Sequence, residues 1–486
     1  MNSPTHLDLQ ATAKEVMQEH GFNPDFPPQV AQQVASLKQQ PQTPADGKVR
    51  DLRNLLWSSI DNDTSRDLDQ IEVAERVAGG IKVLVGIADV DSAVATGTPI
   101  DGHAASETTS VYTANRTFPM LPEELSTDLT SLNENQDRAA IVIEFVVDPE
   151  GAVNSSAIYR ALVRNKAQLT YNGTGHWLEG NAEAPQKVAA SAELAAQLKL
   201  QDEAAQALRD QRHKLGALEF YRVEAHAVPD NGGVKEVTAS HKTRANDLIE
   251  DFMVAANAVM ARTLKEKGRS AIRRVVRTPE RWERIVELAA QRGTKLPGDP
   301  DSGALNRFLQ AQRGKDPVHY PDLSLAVVKL MGPGEYVLSR PGDEGQGHFG
   351  LAAHDYTHST APNRRFADMV TQRLIKAALD GRPAPYDDSR LDAIARNCTL
   401  KEDGARKVER TMMKAAAALA LHEKVGETFQ GVVTGVTPKG TFVRVLHPPV
   451  EGRVMQGEHG MDVGDQVRVR LVHTNPERGF IDFARV

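Results

Sequence analysis

Polar and apolar residues alternate along Ile71-Glu72-Val73-Ala74-Glu75, and past Gly79-Gly80 an almost unbroken apolar run, Ile81-Lys82-Val83-Leu84-Val85-Gly86-Ile87-Ala88-Asp89-Val90, takes over. The first pattern predicts a strand, the glycine pair a tight hairpin, and the second run a buried strand. Another strand-like run, A-I-V-I-E-F-V-V from Ala140, ends in the turn signal D-P-E-G. Helices are predicted where the spacing widens. A-T-A-K-E-V-M-Q-E-H-G closes on a glycine, and P-P-Q-V-A-Q-Q-V-A-S-L-K opens on prolines suited to a first turn. Alanine-rich helices are expected over 182–215 and 246–264, and two more over 364–379 and 401–422. After Gly426 the texture becomes five short alternating strands with glycines at the bends, the pattern of a small closed barrel.

These elements divide the chain into a helical segment 1–48 that ends in the linker Q-Q-P-Q-T-P-A-D-G-K, a mixed α/β (α+β) body 49–425, and a five-stranded OB-type β-barrel 426–486. A length of 486 residues with 40% hydrophobic content suits about three domains. The single cysteine, Cys398, excludes an internal disulfide framework and a Cys-rich zinc site, and fits a reducing compartment. No apolar stretch approaches a membrane span and the first residues lack a signal-peptide pattern, so a cytoplasmic protein without membrane association is expected. A net charge of −7 argues against coating nucleic acid by bulk attraction but leaves room for a local channel. The basic run from Ala261 to Arg277 reads as a solvated helix face followed by a strand.

Candidate chemistry concentrates just before the first alternating strand. I-D-N-D-T-S-R-D-L-D-Q-I places Asp61, Asp63, Asp67 and Asp69 within nine residues. Carboxylates that close repel one another, and a fold tolerates them in open solvent or around a hard divalent cation. Oxygen-only ligands favour magnesium, manganese or calcium over zinc. The spacing also fits an EF-hand loop from Asp61 to Glu72, but Arg66 stands where the sharp turn calls for glycine and no helix-length segment follows.

The residues after Gly426, G-V-V-T-G-V-T-P-K-G-T-F-V and D-V-G-D-Q-V-R-V, resemble the S1-type OB-fold RNA-binding domain. Of its aromatics Phe429, Phe442 and Phe480, most are expected in the barrel core, with Phe442 the best surface stacking candidate. With the acidic cluster in front, the chain resembles the ribonuclease II family of 3′-to-5′ exoribonucleases. The stretches that carry the likeness are D-L-R-N-L-L-W-S-S-I-D-N-D-T-S-R-D-L-D-Q, V-G-I-A-D-V, T-S-V-Y-T-A-N-R-T-F-P-M-L-P-E-E-L-S, S-L-N-E-N-Q-D-R, G-A-L-E-F, A-N-D-L-I-E-D-F-M-V-A-A-N and H-F-G-L-A-A-H-D-Y-T-H-S-T-A-P-N-R-R-F-A-D-M-V.

The resemblance implies metal-assisted hydrolysis of single-stranded RNA from its 3′ end, releasing nucleoside 5′-monophosphates, by a monomer. It implies that Asp61, Asp67 and Asp69 hold magnesium, or manganese in its place, with the Gln70 carbonyl as a further ligand. Arg364 would meet the scissile phosphate, with Arg365 beside it on the RNA. Tyr112 would stack on the terminal base, Phe220 would be a second stacking residue, and Glu250 would face the terminal ribose. His348, His354 and His358 are expected to be packing or RNA-contact residues. Four departures from the family pattern stand out: Gln70 where a second adjacent Asp is usual, Ala361-Pro362-Asn363 for Ser-Pro-Ile, Val276 where His is frequent, and no cold-shock barrel pattern in 1–48. The first leaves an alternative open, an RNA-binding protein of this fold whose catalysis is weakened or lost through Gln70.

Overall fold

The strands on either side of the acidic cluster lie in one sheet and are buried over most of their length. The computed structural model describes residues 8–39, 48–114, 116–220, 224–230, 233–317, 319–343, 347–445 and 447–486; most of the expected linker at 39–48 lies outside them. The sheet uses β1 (Arg50–Asp51), β2 (Ser58–Asp61), β3 (Gln70–Val77) and β4 (Gly80–Ala88), then β7 (Asp137–Val147), β8 (Val153–Arg164) and β9 (Ala167–Thr170). Between them β5 (Val111–Tyr112) and β6 (Thr117–Phe118) form a separate small hairpin. The sheet order is β1-β8-β7-β4-β3-β2-β9, with β1·β8 and β2·β9 parallel and the other pairs antiparallel.

The β3–β4 turn needs its glycines. Gly80 has φ +153°, and a Cβ there would meet the Val147 carbonyl oxygen at 2.0 Å. On one face of the sheet Gly86 lets Trp57 and Ile71 close in, and on the other Phe145 packs edge-on against Phe252 with ring centroids 6.4 Å apart. The alternation at 71–75 predicted a strand, and in it Gln70 to Ala74 are all buried. The helix Ala192–Lys214 packs on β3, so Glu72 is a core carboxyl.

The helices are α1 (Leu9–Glu19), α2 (Pro28–Leu37), α3 (Pro99–Glu107), α4 (Tyr171–Leu178), α5 (Gln186–Ala189), α6 (Ala192–Lys214), α7 (Arg244–Glu266), α8 (Trp282–Ala290), α9 (Ser302–Lys315), α10 (Tyr320–Met331), α11 (Phe366–Leu379) and α12 (Asp388–Ala420). The helix expected over 182–215 is broken at Ser191, whose hydroxyl accepts the Leu194 N–H and starts α6 anew. The one expected from 401 begins at Asp388, where Asp387 caps the Arg390 N–H at 2.7 Å. The helix expected from 364 begins at Phe366, because Arg365 is extended.

Two two-stranded antiparallel sheets flank the helices, the hairpin of β10 (Glu224–Asp230) with β11 (Gly233–Ser240), and β12 (Ala271–Val276) with β13 (Gly334–Ser339), between which α8 to α10 intervene. The basic run is a helix end with a solvated face followed by a strand, as expected, and the strand's arginines are buried. Arg273 is buried on Asp355 at 2.6 Å, and Arg274 is buried with both terminal nitrogens on Glu402 at 2.6 and 2.8 Å. Paired charges of this kind hold one element against another at a desolvation cost that only close geometry offsets.

At the N-terminal end, Leu9, Ala13 and Met17 of α1 pack with Val408 and Met412 of α12 and with Val111 and Phe118 of the small hairpin. The N-terminal helices thus brace the hairpin that carries Tyr112. At the other end β14 (Thr428–Thr437), β15 (Gly440–Val445), β16 (Glu451–Gln456), β17 (Gln466–Asn475) and β18 (Phe480–Arg485) close a barrel in the order β14-β15-β16-β18-β17. Its alternating inward positions, among them Val443, Val454, Val469, Leu471 and Phe483, pack with Ala418 and Leu421 from the end of α12. Phe483 is the buried barrel aromatic, Phe442 is half-buried, and Phe480 is 52% exposed, so Phe480 rather than Phe442 is the open aromatic. Among the described residues, no helix is long and apolar enough to cross a membrane.

Candidate active site

The acidic loop joins the end of β2 to the start of β3, and its shape is fixed from outside. The Ser131 hydroxyl accepts the Leu68 N–H at 2.9 Å and donates to the Arg66 carbonyl at 2.8 Å, while the Leu132 N–H reaches the Leu68 carbonyl. This gives the S-L-N-E-N-Q-D-R stretch a role as a clamp on the loop. Within the loop Asp61 Oδ1 accepts from the Asn62 N–H at 2.7 Å and from the Ser65 hydroxyl at 2.8 Å. Asp63 is exposed and accepts from the Asn172 side chain at 2.6 Å. Because a strand, not a helix, follows Gln70, the EF-hand reading falls.

Asp69 is the buried acid of the group, 2% exposed. Its Oδ1 accepts the Asn363 backbone N–H at 2.9 Å, and its Oδ2 lies 3.4 Å from Arg364 Nε. Burial pushes its carboxyl up to about 7, against the pull of Arg364 and with the charge of Asp67 adding to the rise. Burial also raises Asp67, whose Oδ2 sits 3.5 Å from the Tyr112 hydroxyl. Tyr112 is 41% exposed, with its backbone N–H on Glu409 Oε1 at 3.2 Å. The Arg364 side chain is 47% exposed, so its guanidinium meets Asp69 on one edge and solvent on the other.

Arg364 and Arg365 diverge. The Arg365 guanidinium grips Asp368 at 2.9 and 2.8 Å, and Asp368 also accepts the Ala361 N–H at 2.8 Å. Asp368, fully buried one turn beyond Arg364, is therefore the partner of Arg365 and leaves Arg364 to the acidic loop. Asn363, one of the departures from the family pattern, is fully buried and exchanges hydrogen bonds with Thr130 at 2.6 and 3.4 Å. It locks the Arg364 segment to the sheet side of the site.

Gln70 is buried, and its amide nitrogen lies 3.5 Å from the Ile60 carbonyl. Two residues further along β3, Glu72 is fully buried, and among the described residues neither of its oxygens has a hydrogen-bond partner. Burial raises its carboxyl well above the ordinary range, and the charge of Asp61 adds to that.

The expected RNA contacts occupy a second place. Phe220 and Glu250 line a cavity of about 490 Å³ with Arg209, Arg212, Lys242 and Arg274. Glu250 is exposed and paired with Lys242. The aspartates do not line this cavity, but the Tyr171 hydroxyl on α4 feels the charges of Asp61, Glu72, Arg364 and Glu250 together, which puts the two regions within electrostatic reach. His348 lines the cavity, His358 is hydrogen-bonded to the Tyr336 hydroxyl at 2.8 Å, and His354 is exposed. Sequence reasoning missed Glu72, Tyr171 and the basic lining of the cavity. The R-D-Q-R-H cluster at the end of an alanine-rich helix was the available signal for Arg209 and Arg212.

Among the described residues, no group of three or more His, Cys, Asp or Glu side chains is already arranged to hold a metal ion. The donor chemistry nevertheless fits a hard cation. Every donor is oxygen, the acids outnumber Arg364, and Glu72 offers two orphaned oxygens beside them. Asp61 is held by donors of its own loop, and Asp69 by the distant Asn363 N–H.

Residues 49–381 match the RNB domain, and residues 427–486 match the RNase II-type exonuclease C-terminal S1 domain. Ribonuclease R 1 of Lactococcus lactis subsp. lactis is 29% identical over 513 residues, covering 96% of this chain and 60% of that protein. Ribonuclease R of Escherichia coli is 29% identical over 500 residues, covering 95% of this chain and 60% of that protein. The chain thus spans about 60% of the length of these two relatives. The structure of Mycoplasma genitalium RNase R in complex with ribose-methylated single-stranded RNA superposes with a TM-score of 0.88 at 22% identity, covering 99% of this chain and 78% of that one.

Proposed function

The chain belongs to the RNB-domain family, whose nucleases depend on metal in general, and we propose that it is a 3′-to-5′ exoribonuclease that hydrolyses single-stranded RNA to nucleoside 5′-monophosphates. The observation that carries this reading is the contact of Arg364 with Asp69 under a half-exposed Tyr112. It gathers a fixed cation for a phosphate, an anchored acid and a ring face for a base in one wall.

Each residue has a physical part. Tyr112 offers its ring to the terminal base, a contact of about 1–3 kcal/mol per base. Arg364 presents the outer edge of its guanidinium to the scissile phosphate, where charge grows on the oxygens in the transition state. Its inner edge rests against Asp69, which fixes its direction. The Asn363 N–H holds Asp69 from behind, so acid and arginine move as one unit. Arg209, Arg212, Lys242 and Arg274 line the cavity along which the upstream phosphates would run, and Glu250 stands there to meet ribose hydroxyls once it parts from Lys242. Asp61, Asp67 and Asp69, with the Gln70 carbonyl, would hold magnesium or manganese. Such a cation supplies Lewis acidity and a more acidic bound water.

A second reading rests on Gln70, a neutral amide whose nitrogen faces the Ile60 carbonyl. In that reading the protein binds RNA with catalysis weakened or lost. The same proposal extends to a monomer acting in the cytoplasm. The deciding experiment is chromatography of the products after incubation with RNA in magnesium and in excess chelator. Nucleoside 5′-monophosphates appearing only with magnesium support the nuclease; bound but intact RNA supports the second reading.

A further inference from the structure

A site that replaces one carboxylate by an amide is short of one negative charge. The fold supplies another nearby. Gln70 and Glu72 lie two apart on β3, and side chains two apart along a strand emerge from the same face about 7 Å apart. Gln70 reaches the Ile60 carbonyl, at the end of the strand that carries Asp61. Glu72 pairs across β2 with Ser58, three residues before Asp61. The charge that acts on Glu72 is that of Asp61.

Glu72 is also out of place as a structural residue. It is 0% exposed, and among the described residues both its oxygens, and the Ser58 hydroxyl opposite, are without hydrogen-bond partners. A buried carboxyl left unpaired is unfavourable relative to an apolar residue of similar size. The neighbouring strand position, Val85, shows what the core itself would take there. A group kept at such a cost beside an acidic cluster invites a partner absent from the protein alone.

We propose that Glu72 supplies the carboxylate that Gln70 lacks, so that the divalent-cation site is completed by Asp61, Asp67, Asp69 and Glu72. The carboxylate is displaced by one strand repeat from position 70, on the same face of β3. Gln70, whose amide nitrogen lies at the Ile60 carbonyl, then brings its neutral oxygen to the cation while Glu72 brings the charge. This assignment rests on the metal-dependent reading of the site and concerns cation binding alone.

The test is manganese binding to the RNA-free full chain, followed by electron paramagnetic resonance. Glu72→Gln is expected to weaken manganese at least tenfold while the metal-free protein melts no lower than the wild type. The double variant Gln70→Asp with Glu72→Gln, which returns the carboxylate to the loop end of the strand, is expected to regain most of the lost affinity. Wild-type manganese affinity in Glu72→Gln would overturn the proposal, and so would a double variant no better than Glu72→Gln. If Glu72→Gln does not fold, Glu72→Asp asks the same question: retracting the carboxylate should weaken manganese several-fold, and unchanged affinity overturns it. Product release by the wild type separates the two readings. A chain that loses manganese on Glu72→Gln yet never releases nucleotides sinks the nuclease and keeps the site. An active nuclease indifferent to Glu72→Gln does the reverse.

Discussion

The backbone N–H of Asn363 donates to Oδ1 of Asp69 at 2.9 Å, joining the acidic loop to the segment that carries Arg364 across 294 residues of sequence. Asp69 is thereby both the most buried acid of the loop and the contact point of the arginine. Asp69→Asn keeps an acceptor for the Asn363 N–H and removes the charge. Turnover is expected to vanish while affinity for RNA survives, because stacking and phosphate contacts hold the strand independently of the chemistry. Filter binding and product release on one preparation check this. Parallel loss of both would make the acid a structural or RNA-contact element.

The same substitution changes the pH dependence of stability. In the folded metal-free chain the Asp69 carboxyl titrates at about 7, against an ordinary 3.8. Between those values the folded chain holds a proton that the unfolded chain has released, so this contribution to stability is complete below about pH 4 and is lost as pH rises through 7. Metal-free Asp69→Asn should therefore be more stable than wild type at pH 8 by on the order of a few kcal/mol, with the gap closing toward pH 4. Urea unfolding in chelator at the two pH values measures it. A gap independent of pH contradicts the assignment.

Tyr112→Ala should weaken binding of short 3′ ends by about 1–3 kcal/mol and leave cation affinity intact. The ring is half-exposed, and the hairpin beneath it is held by the core that Leu9, Met17 and Met412 share with Val111 and Phe118. Equal affinity for short oligonucleotides would show that the ring does not meet the base.

In the barrel, removing 426–486 would uncover Ala418 and Leu421 and break the Arg444–Asp322 pair at 2.9 Å, so deletion confounds folding with binding. Phe480→Ala avoids that. It is expected to weaken long RNA by about 1–3 kcal/mol with little effect on substrates too short to span to the barrel. Phe442→Ala, at a half-buried ring, should cost stability more than affinity. Competition binding with long and short RNA, beside a melting curve, distinguishes the two.

Restoring Asp at position 70 should lower the magnesium concentration for half-maximal rate. The reason is Coulombic, an added anion within about 4 Å of a divalent cation. A rate and a magnesium requirement both unchanged would remove Gln70 from the site.

Much of this was legible in the sequence where local rules and tertiary packing agree. The Gly79-Gly80 hairpin and the five barrel strands followed from turn chemistry and period-two alternation, because the barrel has one wet face. Arg364 lies against Asp69, so two stretches singled out in the sequence are neighbours in the fold. What failed depended on partners far away in the chain. The burial of Glu72 was not legible because alternation cannot register a helical layer on the second face of a sheet, nor was that of Arg273 and Arg274, whose acids lie at Asp355 and Glu402. Arg365 looked equivalent to Arg364 until the extended backbone before α11 turned its side chain onto Asp368.

The most direct test of the central claim is a magnesium time course on one single-stranded RNA labelled at its 5′ end and, separately, at its 3′ end. The account predicts a 5′-labelled ladder that shortens steadily, while the 3′ label leaves at once as a mononucleotide. Internal fragments from either label, loss of the 5′ label first, or RNA bound and unchanged with magnesium present would contradict it.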